Sequence, residues 1–215
     1  MKQTRAYLLL LSVLIFLVFP EIIQAGCAFG RGKPQSECSG WIVINSAWLQ
    51  RFAGNVESEY KSRFLLNGEL GYMKNVSPSQ AVGGSLYLSG DDDGSNFGFM
   101  ARYKKFLNKT ISYDFCAGIL LAGDDNYIDK KFPGFVFQSA ISVKDWIAIM
   151  LQAQFNRYDV NNYVYDINDS YWNRYSGTQS EFYLGLRFGS YAAFVVPVAV
   201  AVIVAATFND FDVNY

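Results

Sequence analysis

The sequence predicts an all-β chain: an eight-stranded antiparallel up-and-down transmembrane β-barrel with an additional apolar helix near the C-terminus. Three observations carry that expectation. Apolar and mixed residues alternate with a period of two through most of the chain, as strands with two unlike faces require. Tight connections alternate with longer polar ones, the layout of a barrel whose two ends differ. Charged residues make up only 17% of the chain while aromatics also reach 17%, a balance suited to strands that meet hydrocarbon and end in interfacial rings.

The chain opens with Lys2 and Arg5, an apolar run from Tyr7 to Phe19, Pro20, and then Ala25 before Gly26. That order reads as a signal peptide over residues 1–25, with cleavage after Ala25. An uncleaved anchor is the alternative, and the run is short for one. Removing the leader leaves about 190 residues, enough for one domain. Residues 26–40 form a separate Cys-containing segment. Outside the cytoplasm Cys27 and Cys38, which flank Gly30, Gly32 and Pro34, are candidates for a disulfide closing a short loop. Cys116 is left over, and its place in an apolar strand reads as a small buried side chain.

The barrel is expected over residues 41–190. Its first strand, Trp41 to Gln50, has the poorest alternation. From Arg63 to Lys74, Phe64, Leu66, Gly68, Leu70 and Tyr72 oppose Leu65, Asn67, Glu69, Gly71 and Met73. Val82 to Ser89 alternates cleanly, and Phe97 to Lys104 places Arg102 and Lys104 in the polar file. Ile111 to Leu121 follows, with Asp114 and Cys116 opposite an Ile/Tyr/Phe file, then Phe135 to Ser142 and Trp146 to Tyr158. Glu181 to Phe188 closes the series, with Arg187 opposite the Phe/Leu file. The tight links are Val76 to Gln80, Leu107 to Lys109, and Lys144 to Asp145. The long ones are Arg51 to Ser62, Gly90 to Asn96, Gly123 to Gly134, and Asp159 to Gln179.

A closed barrel satisfies its own backbone hydrogen bonds and can sit in lipid if its outer side chains are apolar. The mixed file then faces a narrow lumen. There Glu69 and Asp114 are expected to pair with Arg102, Lys104 and Arg187, because an isolated enclosed charge costs several kcal/mol. Turning the barrel inside out gives the alternative: a lipocalin-like cup binding a small apolar ligand and tethered by the C-terminal helix. It would leave Leu65, Met73, Met100, Leu120, Val136 and Met150 facing water. Trp146, Tyr72, Tyr103 and Tyr158 near strand ends fit interfacial girdles.

Behind the barrel, residues 191–207 are uncharged and apolar apart from Tyr191 and Thr207, long enough for a helix of roughly 25 Å. A valine-rich extra strand is the alternative, and Pro197 fits the middle of neither. The tail 208–215 carries Asp210 and Asp212 and no cation. That disfavours a simple inner-membrane anchor, whose cytoplasmic flank would be basic.

With its alternating files, its turn asymmetry and the closing Glu181-Phe182-Tyr183-Leu184-Gly185-Leu186-Arg187-Phe188-Gly189-Ser190, the chain resembles small bacterial outer-membrane barrels of the OmpA/OmpX-like class over Trp41 to Ser190. The likeness is one of pattern rather than of a diagnostic motif, and the apolar segment after the closing strand departs from it. The resemblance implies an outer-membrane location and a structural or adhesive surface role with no catalytic residues.

Chemistry is bounded by what is missing. The chain has no histidine, which removes Ser-His-Asp and Cys-His hydrolysis and His-ligated metals. No catalytic residue, cofactor or metal site is expected. A formal net charge of -1 gives no reason to expect a nucleic-acid partner. Asp91, Asp92, Asp93, Asp124, Asp125 and Asp129 read as solvated turn residues; the rival reading is a calcium cluster bridging the loops to lipopolysaccharide phosphates. The longest link carries Tyr171, Trp172 and Tyr175 among Asn and Asp residues, a composition of surfaces that grip partners, set against a hairpin that simply extends past the membrane.

Overall fold

A computed structural model describes residues 40–55, 64–92, 94–125, 129–144, 146–165, 170–189 and 192–193, the stretches 160–165 and 170–175 by their backbone alone. The signal peptide, the Cys27–Cys38 pair, and all of the segments 191–207 and 208–215 except Ala192 and Ala193 lie outside the described residues. Eight strands follow one another in chain order: β1 Gly40–Gly54, β2 Phe64–Ser77, β3 Gln80–Gly90, β4 Gly94–Phe106, β5 Ile111–Asp125, β6 Asp129–Val143, β7 Ile147–Tyr165 and β8 Ser170–Gly189. Each pairs antiparallel with the next, and β8 pairs back onto β1, closing the barrel.

Closure needs a stagger between strands, and the register supplies it. Partners followed once around run from Gly40 through Lys74, Val82, Tyr103, Phe115, Ser139, Leu151 and Leu184 to Gln50, ten residues further along β1. Such a stagger tilts the strands across the barrel axis. Bulges interrupt the ladders at Arg51/Ala53, Asn75/Ser77, Phe97/Gly98 and Lys131/Phe135.

The ends of the barrel are built differently. At the turn end, Pro78-Ser79 joins β2 to β3. Asn108 shapes the β4–β5 turn, its Oδ1 accepting from the backbone N–H groups of Thr110 and Ile111 at 2.8 and 2.7 Å, an Asx turn. Lys144 adopts φ 51° before β7 begins. Both barrel termini, Gly40 and Gly189, lie at this end.

At the far end, three of the four expected long links prove to be short connections between longer strands. The expected loop Gly90–Asn96 shrinks to residues 91–93, Gly123–Gly134 to 126–128, and Asp159–Gln179 to 166–169. Polar residues there show no apolar file, so alternation stops marking them, but the backbone ladder continues because its bonds do not depend on side-chain polarity. Tyr171, Trp172 and Tyr175 consequently sit in β8 rather than in a loop, in register with Val164, Tyr163 and Val160. From Val160/Tyr175 to Tyr165/Ser170 the β7–β8 ribbon pairs only with itself among the described residues, since β6 joins β7 from Asp159 and β1 joins β8 from Glu181.

Candidate functional site: a filled lumen and an apolar wall

Pleating sends alternate residues to opposite faces, and the files separate by chemistry. The inner file holds Asn67, Glu69, Arg102, Lys104, Asp114, Gln138, Gln152, Gln154 and Arg187, all buried. The outer file holds Leu66, Leu70, Leu86, Phe99, Ile119, Phe137, Ile149, Leu151 and Leu184, all exposed.

The five charged residues expected in the lumen are brought together there as two centres. In one, the Arg102 guanidinium pairs with the Glu69 carboxylate, and Asn45 Nδ2 donates to the same oxygen at 2.9 Å. In the other, Arg187 pairs with Asp114, Ser142 Oγ donates to the same carboxylate oxygen at 3.0 Å, and Lys104 Nζ stands 3.5 Å from it. The Lys104 ammonium also lies 5.7 Å from the centre of the Phe106 ring, within cation–π range. Arg102 belongs to β4 and Glu69 to β2, so this bond spans the intervening β3, which presents the inward Gly83 opposite Arg102. A Cβ at Gly83 would run into the backbone of Tyr72 and Met73.

A neutral network adjoins the charges. Tyr87 Oη accepts from Gln152 Nε2 at 2.9 Å and Gln154 Nε2 at 2.8 Å. Gln152 Oε1 in turn accepts from Asn67 and Gln138, both at 2.9 Å. Toward the far end, Glu181 takes Arg51 at 3.3 Å and the Tyr183 hydroxyl at 3.0 Å. Asn45, Tyr87, Ser142 and Glu181 were not among the residues singled out from sequence. Strand parity was the available signal for Glu181, which shares the inward file of β8 with Arg187; β1, β3 and β6, which carry Asn45, Tyr87 and Ser142, hold none of the five expected charges.

Apolar groups fill the space around these bonds. Trp41, Val43, Met73, Ala81 and Phe106 cluster at the turn end, with Trp41 and Phe106 rings 6.4 Å apart. Leu49, Leu65, Met150 and Tyr183 cluster against one wall; Tyr87, Met100, Cys116, Leu120 and Val136 cluster against the other. Cys116 is a free thiol, buried.

Outside, the charged positions fall at the margins. Lys74 and Lys105 on the outer file and Lys144 in the β6–β7 turn are exposed near the turn end, and Arg157, Asp124 and Asp129 near the far end, with uncharged outer-file residues between. Tyr72 and Tyr103 stand one outward position inside Lys74 and Lys105, and Trp146 lies at the β6–β7 turn. Higher on the wall, Phe52, Phe182, Phe155 and Phe137 form a chain of tilted and edge-on ring contacts at 6.5, 5.9 and 6.1 Å, favourable ring geometry. An apolar groove of about 930 Å³ opens on this wall, lined by Tyr72, Gly84, Leu86, Phe99, Ala101 and Ala117.

Four of the aspartates at the far end, Asp91, Asp124, Asp125 and Asp129, are engaged by the protein itself, and Asp93 lies outside the described residues. Asp91 Oδ1 accepts from Gly94 N at 2.8 Å, Asp125 pairs with Lys130 at 3.4 Å, and Asp129 pairs with Lys131 at 2.5 Å. Asp124 Oδ1 accepts from the Ser95 hydroxyl at 2.6 Å and its N–H at 2.9 Å. Those two bonds hold the exposed Asp124 carboxyl below the ordinary carboxylate value of 3.8. Among the described residues no cluster of three or more His, Cys, Asp or Glu side chains is placed to hold a metal ion. No described helix is long and apolar enough to cross a membrane, a statement about helices that leaves strands aside.

No protein-family model matches the chain, and a search of curated proteins returns no match.

Proposed function

We propose that this chain is a structural or surface-interaction barrel of the bacterial outer membrane, exported by its leader, that spans the bilayer with its strands and carries out no catalysis. One observation carries the reading: the aliphatic and aromatic file forms an exposed wall, uncharged between a basic margin at the turn end and a margin of mixed charge at the far end, while the lumen carboxylates, guanidiniums and amides are enclosed. A wall of that kind exceeds the apolar patches that soluble monomers expose and matches a hydrocarbon belt flanked by interfacial rings. Strands of 11 to 20 residues also exceed the roughly 9 to 11 tilted residues needed to cross a bilayer core.

The lipocalin-like alternative needs its apolar file around an internal cavity. That file lies on the outer wall, and the groove it forms opens outward. An eight-stranded lumen is just wide enough to be filled by side chains, so a wide pore is not part of the reading. Its partners are the bilayer and, through the far end, lipopolysaccharide or another surface molecule.

Expression with its leader in a Gram-negative host, followed by membrane fractionation and electrophoresis with and without boiling, tests the assignment. The expected result is outer-membrane recovery with a fast-migrating folded band that converts on heating. Recovery as a soluble protein without detergent overturns it.

A further inference from the structure

The chain does not end at the barrel, and the point where it leaves is informative. After Gly189 closes the ladder to Asn45, Ala192 and Ala193 have helical backbone. Ser46, four residues after Ile42 on the outer file of β1, donates its hydroxyl to the Ala193 carbonyl at 3.0 Å. Ala193 is itself only 7% exposed. A residue beyond the last strand is thus buried against the outside of the barrel, not inside it and not away from it.

The wall around Ser46 is one of its less open stretches. Ile44, Trp48 and Phe188 occupy outward positions around Ser46 yet are only half-exposed. Leu66, Leu70, Leu88 and Ile149 on the same kind of position are exposed, and Phe97 and Phe155 elsewhere on the wall are half-exposed like the residues around Ser46. Ser46 is in register with Gly68, so two residues with almost no bulk lie side by side between larger neighbours. Small residues allow close backbone approach where apolar surfaces meet. The hydroxyl of Ser46, which would otherwise be a lone polar group on an apolar wall, has its acceptor in Ala193.

The geometry points to the apolar run 194–207 being docked on the outer wall over β1, beginning at the Ser46–Ala193 bond. The occupant is this chain's own C-terminal segment: its start is fixed at the wall, and it carries no charge from Phe194 to Thr207. The segment therefore stays beside the strands in whatever medium surrounds them. This inference is independent of the bilayer reading, because an apolar segment has the same reason to cover the wall in water.

Paired spin labels test it in the full chain. With Cys27, Cys38 and Cys116 replaced, Val200→Cys is combined either with Gly68→Cys on β2 or with Ser139→Cys on the far wall in β6, and distances are measured in detergent micelles and in liposomes. Docking predicts a narrow 200–68 distribution, shorter than 200–139 by on the order of 10 Å, given strands about 4.8 Å apart and walls four strands apart. Equal distances, a reversed order, or broad distributions for both pairs overturn it. Adding Ser46→Ala should broaden the 200–68 distribution; an unchanged distribution overturns the anchor. Heat-modifiable migration of the same samples reports barrel assembly separately, so a failed docking does not count against the proposed function.

Discussion

The lumen and the far rim use the same ion-pairing residues to different ends. The Arg102 and Glu69 side chains are 2% and 0% exposed, whereas the Lys131–Asp129 pair at the rim is 42% and 60% exposed. Enclosure turns an interaction worth little in water into one that cannot be broken cheaply, because the partner left behind is a charge without solvent. The lumen charges thus make folding conditional on their mutual placement. The Lys131–Asp129 pair only decorates a ladder that stands without it, unlike its rim neighbour Lys130–Asp125, which is enclosed.

Four substitutions and one titration can break or sharpen that contrast. The largest effect is expected at Asp114, which faces both Arg187 and Lys104. Asp114→Ala should lower stability by about 3–5 kcal/mol, read by urea titration of the refolded barrel. A loss below about 1 kcal/mol would mean the lumen is wet enough to solvate free guanidiniums. Next comes Leu151→Arg on the wall, which should cost about 2–4 kcal/mol near the midplane of a bilayer. Measured in liposomes, no loss would show that this face never meets hydrocarbon.

Tyr87→Phe removes the acceptor shared by Gln152 and Gln154. We expect about 1–3 kcal/mol of destabilisation, without loss of the folded gel band. Lys131→Ala at the rim should change stability by about 1 kcal/mol or less; a larger value would erase the distinction between lumen and rim. The smallest effect concerns Asp124. Its carboxyl is depressed in the folded state, so its bonds to Ser95 contribute above the ordinary value of 3.8 and are lost as pH falls from there through the lower folded value. Hydrogen exchange at the Ser95 amide should therefore be protected at neutral pH and speed up relative to neighbouring amides under acid conditions.

The strand count and the inward or outward sense of each file were legible because burial imposes a strict period of two. Glu69, Arg102, Lys104, Asp114 and Arg187 could be assigned to the lumen by parity alone. Their partners could not, since Arg102 reaches across β3 to Glu69 and Arg187 meets Asp114 from a position 73 residues away. Those meetings depend on the ten-residue stagger around the barrel, which no local pattern encodes. Strand ends were illegible for a different reason: Lys130 and Lys131 on β6, or Asp124 and Asp125 on β5, continue ladders where neither face needs to be apolar.

The overhanging β7–β8 ribbon has a consequence for engineering. Below Asp159 and Glu181 each of its strands is laced to a neighbour on its other side, so the wall does not rely on the covalent link at the tip. A foreign epitope spliced between Tyr165 and Ser170 would be carried on a stalk clear of the cylinder, and nicking that link should leave two fragments that still migrate as one folded species.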